Sequence, residues 1–236
     1  MIVAPPPTTA QPEPRSGLEL EWVVGEVFFD LDGTLIDSIA AVEHAWRLWA
    51  GSERIELPQG AALHGRTVLD LVSHLVPADE IPGAVARLTE LEKHPQLPVP
   101  ALPGAIELIS ALPAGRWAIV TSAARPVALA RLAAAGLPVP PVLVTGDDVM
   151  HGKPAPDPYL AGRRRQTGDV LPVAFEDTVI GLRSARAAGC LAVGVPGTTT
   201  VGELRGHADA LVASLSDVTV TGWDDHGLRL RLSSIG

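Results

Sequence analysis

The sequence predicts an α/β fold: a doubly wound parallel sheet, interrupted near its start by an all-helical insertion. Three observations carry this. Short apolar runs, Val27-Phe28-Phe29, Trp117-Ala118-Ile119-Val120, Val142-Leu143-Val144, Val173-Ala174-Phe175 and Leu191-Ala192-Val193-Gly194-Val195, alternate with helical stretches in the rhythm of a parallel sheet. The runs are continuous rather than alternating with polar residues, as expected of strands buried on both faces. No such run lies between about residues 39 and 98, where apolar residues recur at helical spacing instead.

Taken in order, residues 1–22 are proline-rich, with Ala4-Pro5-Pro6-Pro7 and Gln11-Pro12-Glu13-Pro14, and read as a disordered tail. Val23-Val24 and Val27-Phe28-Phe29 suit a first strand that ends at Asp30, so residues 23–38 open the core. Gly33 permits a tight turn, and Asp37 or Ser38 can cap the next helix. That helix presents Ile39, Val42, Trp46 and Trp49 on one face and stops near Gly51. Thr67 to Val76 and about Asp79 to His94 add two more helices, the second open to interruption at Pro82-Gly83. Pro95 to Pro103 forms a stiff linker. Residues 39–98 therefore read as a small helical domain, and residues 99–236 as the return of the core. Helices over Pro103–Leu112, Arg125–Ala135, from near Asp157, and Thr178–Ala188 separate the remaining strands, with Gly136 and Gly189 as stops. Ala210-Leu211-Val212 adds a strand. Val218 to Trp223 and Leu228 to Leu232, around Asp224-Asp225-His226-Gly227, read as an edge hairpin.

Composition excludes several function classes. The formal charge of −9 leaves no basic footprint for nucleic acid, so positive charge for a phosphate substrate must be local. One cysteine, Cys190, excludes an internal disulfide, fits a reducing compartment and reads as a small buried apolar residue. No apolar run reaches the roughly 18 residues of a membrane helix, and the start lacks a signal-peptide core. The expectation is a soluble cytoplasmic protein, a monomer or weak homodimer, with neither nucleic-acid nor membrane partners. Lys93 and Lys153 are the only lysines among 18 basic residues, so each stands out against arginine, the chain's ordinary cation.

Three apolar runs end in chemically useful groups: Asp30 with Asp32, Thr121 with Ser122, and Glu176 with Asp177. Parallel strands deliver such ends to one rim of the sheet, and Lys153 lies in a loop between the last two pairs. Acids gathered there need neutralising, and oxygen ligands suit magnesium. The chemistry such a set supports is phosphoryl transfer, in which charge neutralisation and positioning lower the barrier. A carboxylate nucleophile divides one hard hydrolysis into two easier steps.

Asp30-Leu31-Asp32-Gly33-Thr34-Leu35, followed by Asp37-Ser38, resembles the first motif of the haloacid dehalogenase (HAD) superfamily. Thr121, Gly152-Lys153-Pro154 and Glu176-Asp177 resemble its second, third and fourth motifs. The resemblance covers about residues 25 to 215 and implies a Rossmann-like core with a helical cap over residues 39–98. It casts Asp30 as nucleophile and Asp32 as general acid/base whose backbone carbonyl also faces magnesium. Thr121 and Lys153 then bind the phosphoryl group, and Asp177 is a metal ligand. Glu176 is either a second ligand or its outer partner, and Gly33 and Thr34 shape the turn around the phosphate. Among the family's members the chain looks most similar to small sugar and polyol phosphatases. His64-Gly65-Arg66 resembles their cap recognition segment, and Ser122 adjoins the same site. Arg66 is left between contacting substrate and packing its stem on the cap. A β-phosphoglucomutase-like mutase and a non-catalytic phosphate-sensing module are the competing readings. A dehalogenase is disfavoured by Asp32.

Overall fold

The computed structural model describes residues 17–57, 64–164 and 170–235. Six strands form one parallel sheet: β2 (Val27–Phe29), β3 (Trp117–Val120), β4 (Leu143–Val144), β5 (Val173–Glu176), β6 (Leu191–Gly194) and β7 (Ala210–Leu211), in the order β4-β3-β2-β5-β6-β7. Every pairing in it is parallel. The chain starts at the middle of the sheet and winds outward in both directions, so β2 lies between β3 and β5.

Successive side chains of a strand point to opposite faces, and both faces here are dry. Phe29, Ile119, Phe175 and Val193 join one hydrophobic cluster with Val127, Ala128 and Leu132 of α5 (Arg125–Ala134) and Leu108 and Ile109 of α4 (Ala105–Ala111). Phe28, Ala118, Ala174 and Ala192 join the other, with Tyr159 of α6 (Asp157–Gly162) and Leu182 and Ala185 of α7 (Val179–Ala187). Phe29 and Phe175 stack across neighbouring strands with ring centroids 5.3 Å apart. Each such fully buried side chain contributes roughly 1.5–3 kcal/mol. A short helix, α8 (Val201–Leu204), precedes β7.

Between β2 and α4 lie α1 (Ile39–Glu53), α2 (Val68–Val72) and α3 (Ile81–Lys93). They enclose a cluster of their own, Val42, Trp46, Trp49, Val72, Ala84 and Leu88, with the two indoles edge to face at 5.6 Å. The segments entering and leaving this layer are tied side by side. Asp37 N–H donates to Pro100 C=O at 2.9 Å and Leu102 N–H to Leu35 C=O at 2.8 Å. Pro82-Gly83 falls in the first turn of α3 and does not interrupt it, since proline there lacks only an amide that has no helical partner. The helix expected over Thr67–Val76 is the single turn and a half of α2.

Two expectations are corrected. The tail does not extend to residue 22: Leu18–Val24 is a strand, β1, and the rest of the tail reading lies outside the described residues. Val23-Val24 and Val27–Phe29 are therefore two strands in two sheets, separated at Gly25-Glu26. The C-terminal hairpin of β8 (Val218–Asp224) and β9 (Gly227–Ser234) joins β1 in a second, antiparallel sheet, order β1-β9-β8, and meets the edge of the parallel one only at the end of β9, through a bridge between Ser234 and Val212. Its physical basis is alternation: Leu228, Leu230 and Leu232 are buried while Arg229 and Arg231 are exposed, and Leu20 and Trp22 pack inward between exposed Glu19 and Glu21. No described helix is long and apolar enough to cross a membrane.

The alternation has a measurable consequence. Leu230→Ala should cost about 2–5 kcal/mol of unfolding free energy by urea titration, through lost burial and the cavity left behind. Arg231→Ala, which removes an exposed pair with Glu21, should change it little. Equal effects would contradict the packing of this sheet on the core.

Candidate active site

The carboxyl ends of β2, β3 and β5 meet as their parallel pairing requires. Asp30, one residue past β2, is anchored by its N–H donating to Phe175 C=O at 3.0 Å. Lys153, which precedes a cis Lys153-Pro154 peptide, reaches in from its loop with a fully enclosed ammonium. It donates to Asp30 Oδ1 at 2.5 Å and Val120 C=O at 2.9 Å and lies 2.6 Å from Glu176 Oε1. The Tyr159 hydroxyl donates to the same Glu176 oxygen at 2.5 Å, and the Lys153 ammonium sits 5.4 Å from the Tyr159 ring centre, within cation–π range. Asp177 accepts from Thr198 N–H at 3.3 Å and Thr34 Oγ1 at 3.5 Å. Thr178 caps α7, its hydroxyl accepting from Gly181 N–H at 3.1 Å.

Two glycines make this density possible. Gly33 has φ +82°, and a Cβ there would lie 2.1 Å from Asp177 Oδ2; a Cβ on Gly181 would lie 2.0 Å from Glu176 Oε2. Neither position admits a side chain without displacing an acid.

The electrostatics follow from three acids and one ammonium out of water. Burial pushes the Asp30 carboxyl well above the usual carboxylate range; Lys153 opposes this, while Glu176, Asp177 and Asp32 add to it. Asp177 is pushed up to about 7, first by burial and then by Glu176, with Thr198 and Lys153 pulling the other way. Burial alone would lower the Lys153 ammonium, but Asp30 and Glu176 outweigh it and raise it. Oxygen atoms from Asp30, Glu176 and Asp177 all lie within 4.8 Å of one another. This hard-oxygen cluster, only partly neutralised by Lys153, fits a divalent cation such as magnesium.

Thr121 is buried past β3, its Oγ1 accepting from Ala123 N–H at 3.1 Å. The Ser122 hydroxyl donates to Gly65 C=O at 2.7 Å, tying the sheet edge to the helical layer. His64, Arg66, Ser122, Thr121, Asp30 and Asp32 line one cavity of about 50 Å³ between the two. Burial lowers the His64 imidazole, against Glu43 and Asp32. The Arg66 guanidinium, about half exposed, pairs with Asp70 of α2 at 3.0 Å.

Asp32 stands outside the metal-competent group. Its carboxylate accepts from Ser38 Oγ at 2.6 Å and Arg131 Nη1 at 2.9 Å. Ser38 thus occupies the N-cap position of α1 without making a capping bond, and the expected cap is corrected: its hydroxyl is drawn to the acid instead. Arg131 of α5, Glu92 of α3, Tyr159 and Thr198 are site residues that the sequence reading missed. Arg131 and Glu92 fall within amphipathic helices, and only their burial, at 4% and 5% exposure, distinguishes them from ordinary surface charge.

A sheet edge bearing a buried aspartate, a lysine and paired acids beneath a helical layer defines a hydrolase of the phosphoryl-transfer type. Residues 27–189 match the model for haloacid dehalogenase-like hydrolases, and the chain belongs to that family; it is a phosphoric monoester hydrolase. It is 41% identical over 202 residues to Hexitol phosphatase A from Escherichia coli, covering 82% of this chain and 92% of the relative. It is 28% identical over 222 residues to Glycerol-1-phosphate phosphohydrolase 2 from Saccharomyces cerevisiae, covering 85% and 86%. Among solved structures, a putative beta-phosphoglucomutase from Thermotoga maritima superposes with a TM-score of 0.55 at 28% identity, covering 80% and 94%.

Tyr159→Phe should lower unfolding free energy by about 1–3 kcal/mol, because the buried Glu176 oxygen loses a donor that water does not replace. Thermal and urea melts check this, and wild-type stability in the variant would show that the hydroxyl contributes nothing there.

Proposed function

We propose that the chain is a magnesium-dependent phosphatase of small sugar or polyol phosphate monoesters, working through an aspartyl-phosphate on Asp30. The observation that carries this reading is the Asp30 carboxylate held by Lys153 at the sheet edge, open to a cavity in which Asp32 also stands.

In the first step an Asp30 oxygen attacks phosphorus as the bond to the ester oxygen breaks, and Asp32 gives that oxygen its proton. In the second, water attacks the acyl phosphate, its proton passes to Asp32, and phosphate leaves Asp30. Lys153 and the Thr121 hydroxyl hold the phosphoryl oxygens, with the Gly33-Thr34 turn and Ser122 beside them. Asp30, Asp177 and the Asp32 backbone carbonyl would hold magnesium, which screens the repulsion between carboxylate and phosphate. Glu176, already engaged by Lys153 and Tyr159, orients the ammonium and backs this set. Residues 39–98 act as a cap that excludes water, with His64 and Arg66 on its substrate side. The activities for which the hexitol and glycerol-phosphate relatives are named support a polyol phosphate as substrate.

The mutase reading draws support from the phosphoglucomutase neighbour, at lower identity than the hexitol phosphatase. The two readings part on one measurement. With a panel of sugar and polyol phosphates and magnesium, the phosphatase releases inorganic phosphate; isomerisation without release would make it a mutase. Asp30→Asn should lower turnover by at least about a thousandfold, since no nucleophile replaces it. Retained activity would falsify the nucleophile assignment.

Metal dependence carries a pH signature. Asp30 and Asp177 bind protons more tightly folded than unfolded, so the metal-free protein loses stability as pH rises from the ordinary carboxylate range through about 7. A divalent cation needs the deprotonated form. Magnesium should therefore raise Tm more at pH 8 than at pH 5.5. Equal increments at both pH values would count against these acids as its ligands.

A further inference from the structure

The cavity over Asp30 has a charged inner wall that touches the proposed phosphoryl chemistry only where Arg131 holds Asp32. Glu92 from α3 and Arg131 from α5 line it beside Ile39, Val42 and Trp46. Both are almost wholly buried. Arg131 spans two acids, with Nη1 2.9 Å from Asp32 Oδ1 and Nη2 3.3 Å from Glu92 Oε1.

Packing alone does not account for the pair. Buried ion pairs lose on desolvation about what they gain in attraction, and apolar side chains of similar volume generally serve stability as well or better. Glu92 also shares a side-chain hydrogen bond with Trp46, but a joint that only had to seal α3 against α5 could continue the apolar surface formed by Ile39 and Val42. A carboxylate and a guanidinium facing one cavity offer something those residues do not: an acceptor and several donors side by side. Adjacent hydroxyl groups match that arrangement, one donating to the carboxylate and its neighbour accepting from the guanidinium.

We propose that Glu92 and Arg131 are the specificity-determining pair of this site, reading hydroxyls of the substrate's polyol chain away from its phosphate. The inference rests on the phosphatase reading above and deepens it. In the present conformation the cavity holds about 50 Å³, room for one or two waters. The polyol chain is therefore accommodated as α3 moves away from α5, and its hydroxyls take the hydrogen-bonding positions these two side chains here turn toward each other. Arg66, half exposed and paired within its own helical segment, is a poorer candidate for this role than the sequence suggested.

The test compares kcat/KM for a six-carbon alditol phosphate with that for n-hexyl phosphate, which has the same kind of alkoxide leaving group and no hydroxyls, in wild type, Glu92→Gln and Glu92→Asp. The hexyl ester also reports correct folding and any disturbance passed through Arg131 to Asp32. Losing a hydrogen bond to a charged group should lower the alditol-to-hexyl preference about tenfold in Glu92→Gln, mainly through KM. Glu92→Asp, which keeps the charge, should recover part of it. Equal loss on both esters, or a preference that does not move, would overturn the assignment. Wild-type inactivity toward every ester would instead overturn the phosphatase reading, and this inference with it.

Discussion

The site depends on one buried ammonium. Lys153 stands between Asp30 and Glu176 at the carboxyl edge of the sheet, where three carboxylates are held out of water. It opposes the burial and mutual repulsion that push Asp30 and Asp177 toward their neutral forms. Much of the surrounding architecture serves this contact. β2 and β5 must be neighbours for Asp30 and Glu176 to flank one cation, Tyr159 must rise from α6 to share with Lys153 the same Glu176 oxygen, and Gly33 and Gly181 must lack side chains so that the backbone can close around the acids.

Asp32 shows how two acids only two residues apart come to differ. Asp30 continues the line of its strand into the buried cluster. The turn at Gly33 leaves the Asp32 carboxylate toward the helical layer, about a quarter exposed and held by Ser38 and Arg131. In the mechanism proposed above, Asp30 gains a fixed position and Asp32 access, and one strand end supplies both within three residues. Through Arg131 and Glu92 the same acid is joined to α3, so the helical layer and the sheet edge meet at a charge network as well as at a hydrophobic seam.

Much of the fold was legible because buried parallel strands leave continuous apolar runs, and the five runs read as β2 to β6 appear where expected. β1 was not. Leu18–Val24 alternates faintly after a proline-rich stretch, and its partner β9 lies some two hundred residues away, so nothing local marks it as a strand. The same limit applied within the site. Asp30, Lys153 and Asp177 sit at strand ends or in a loop where charge stands out, whereas Arg131 and Glu92 lie within helices that carry other charges, and Tyr159, the chain's one tyrosine, sits in a short helix with nothing local to mark its partner. Ser38 was legible as a polar residue before a helix, but its choice of Asp32 over the α1 backbone was not.

The sequence by itself determined the order of strands and helices, the helical insertion after the first strand of the parallel sheet, and the identity of the acids, hydroxyl and lysine at the rim. Each of these is written in local periodicity or in a polar residue ending an apolar run. Only the tertiary structure decided which charges share a partner: that Glu176 is bound to Lys153 and Tyr159, that Asp32 faces Ser38 and Arg131, and that Glu92 crosses from the helical layer to meet them. Such pairings depend on distances between elements far apart in the chain, and on burial, which converts ordinary surface charges into a few that must find each other.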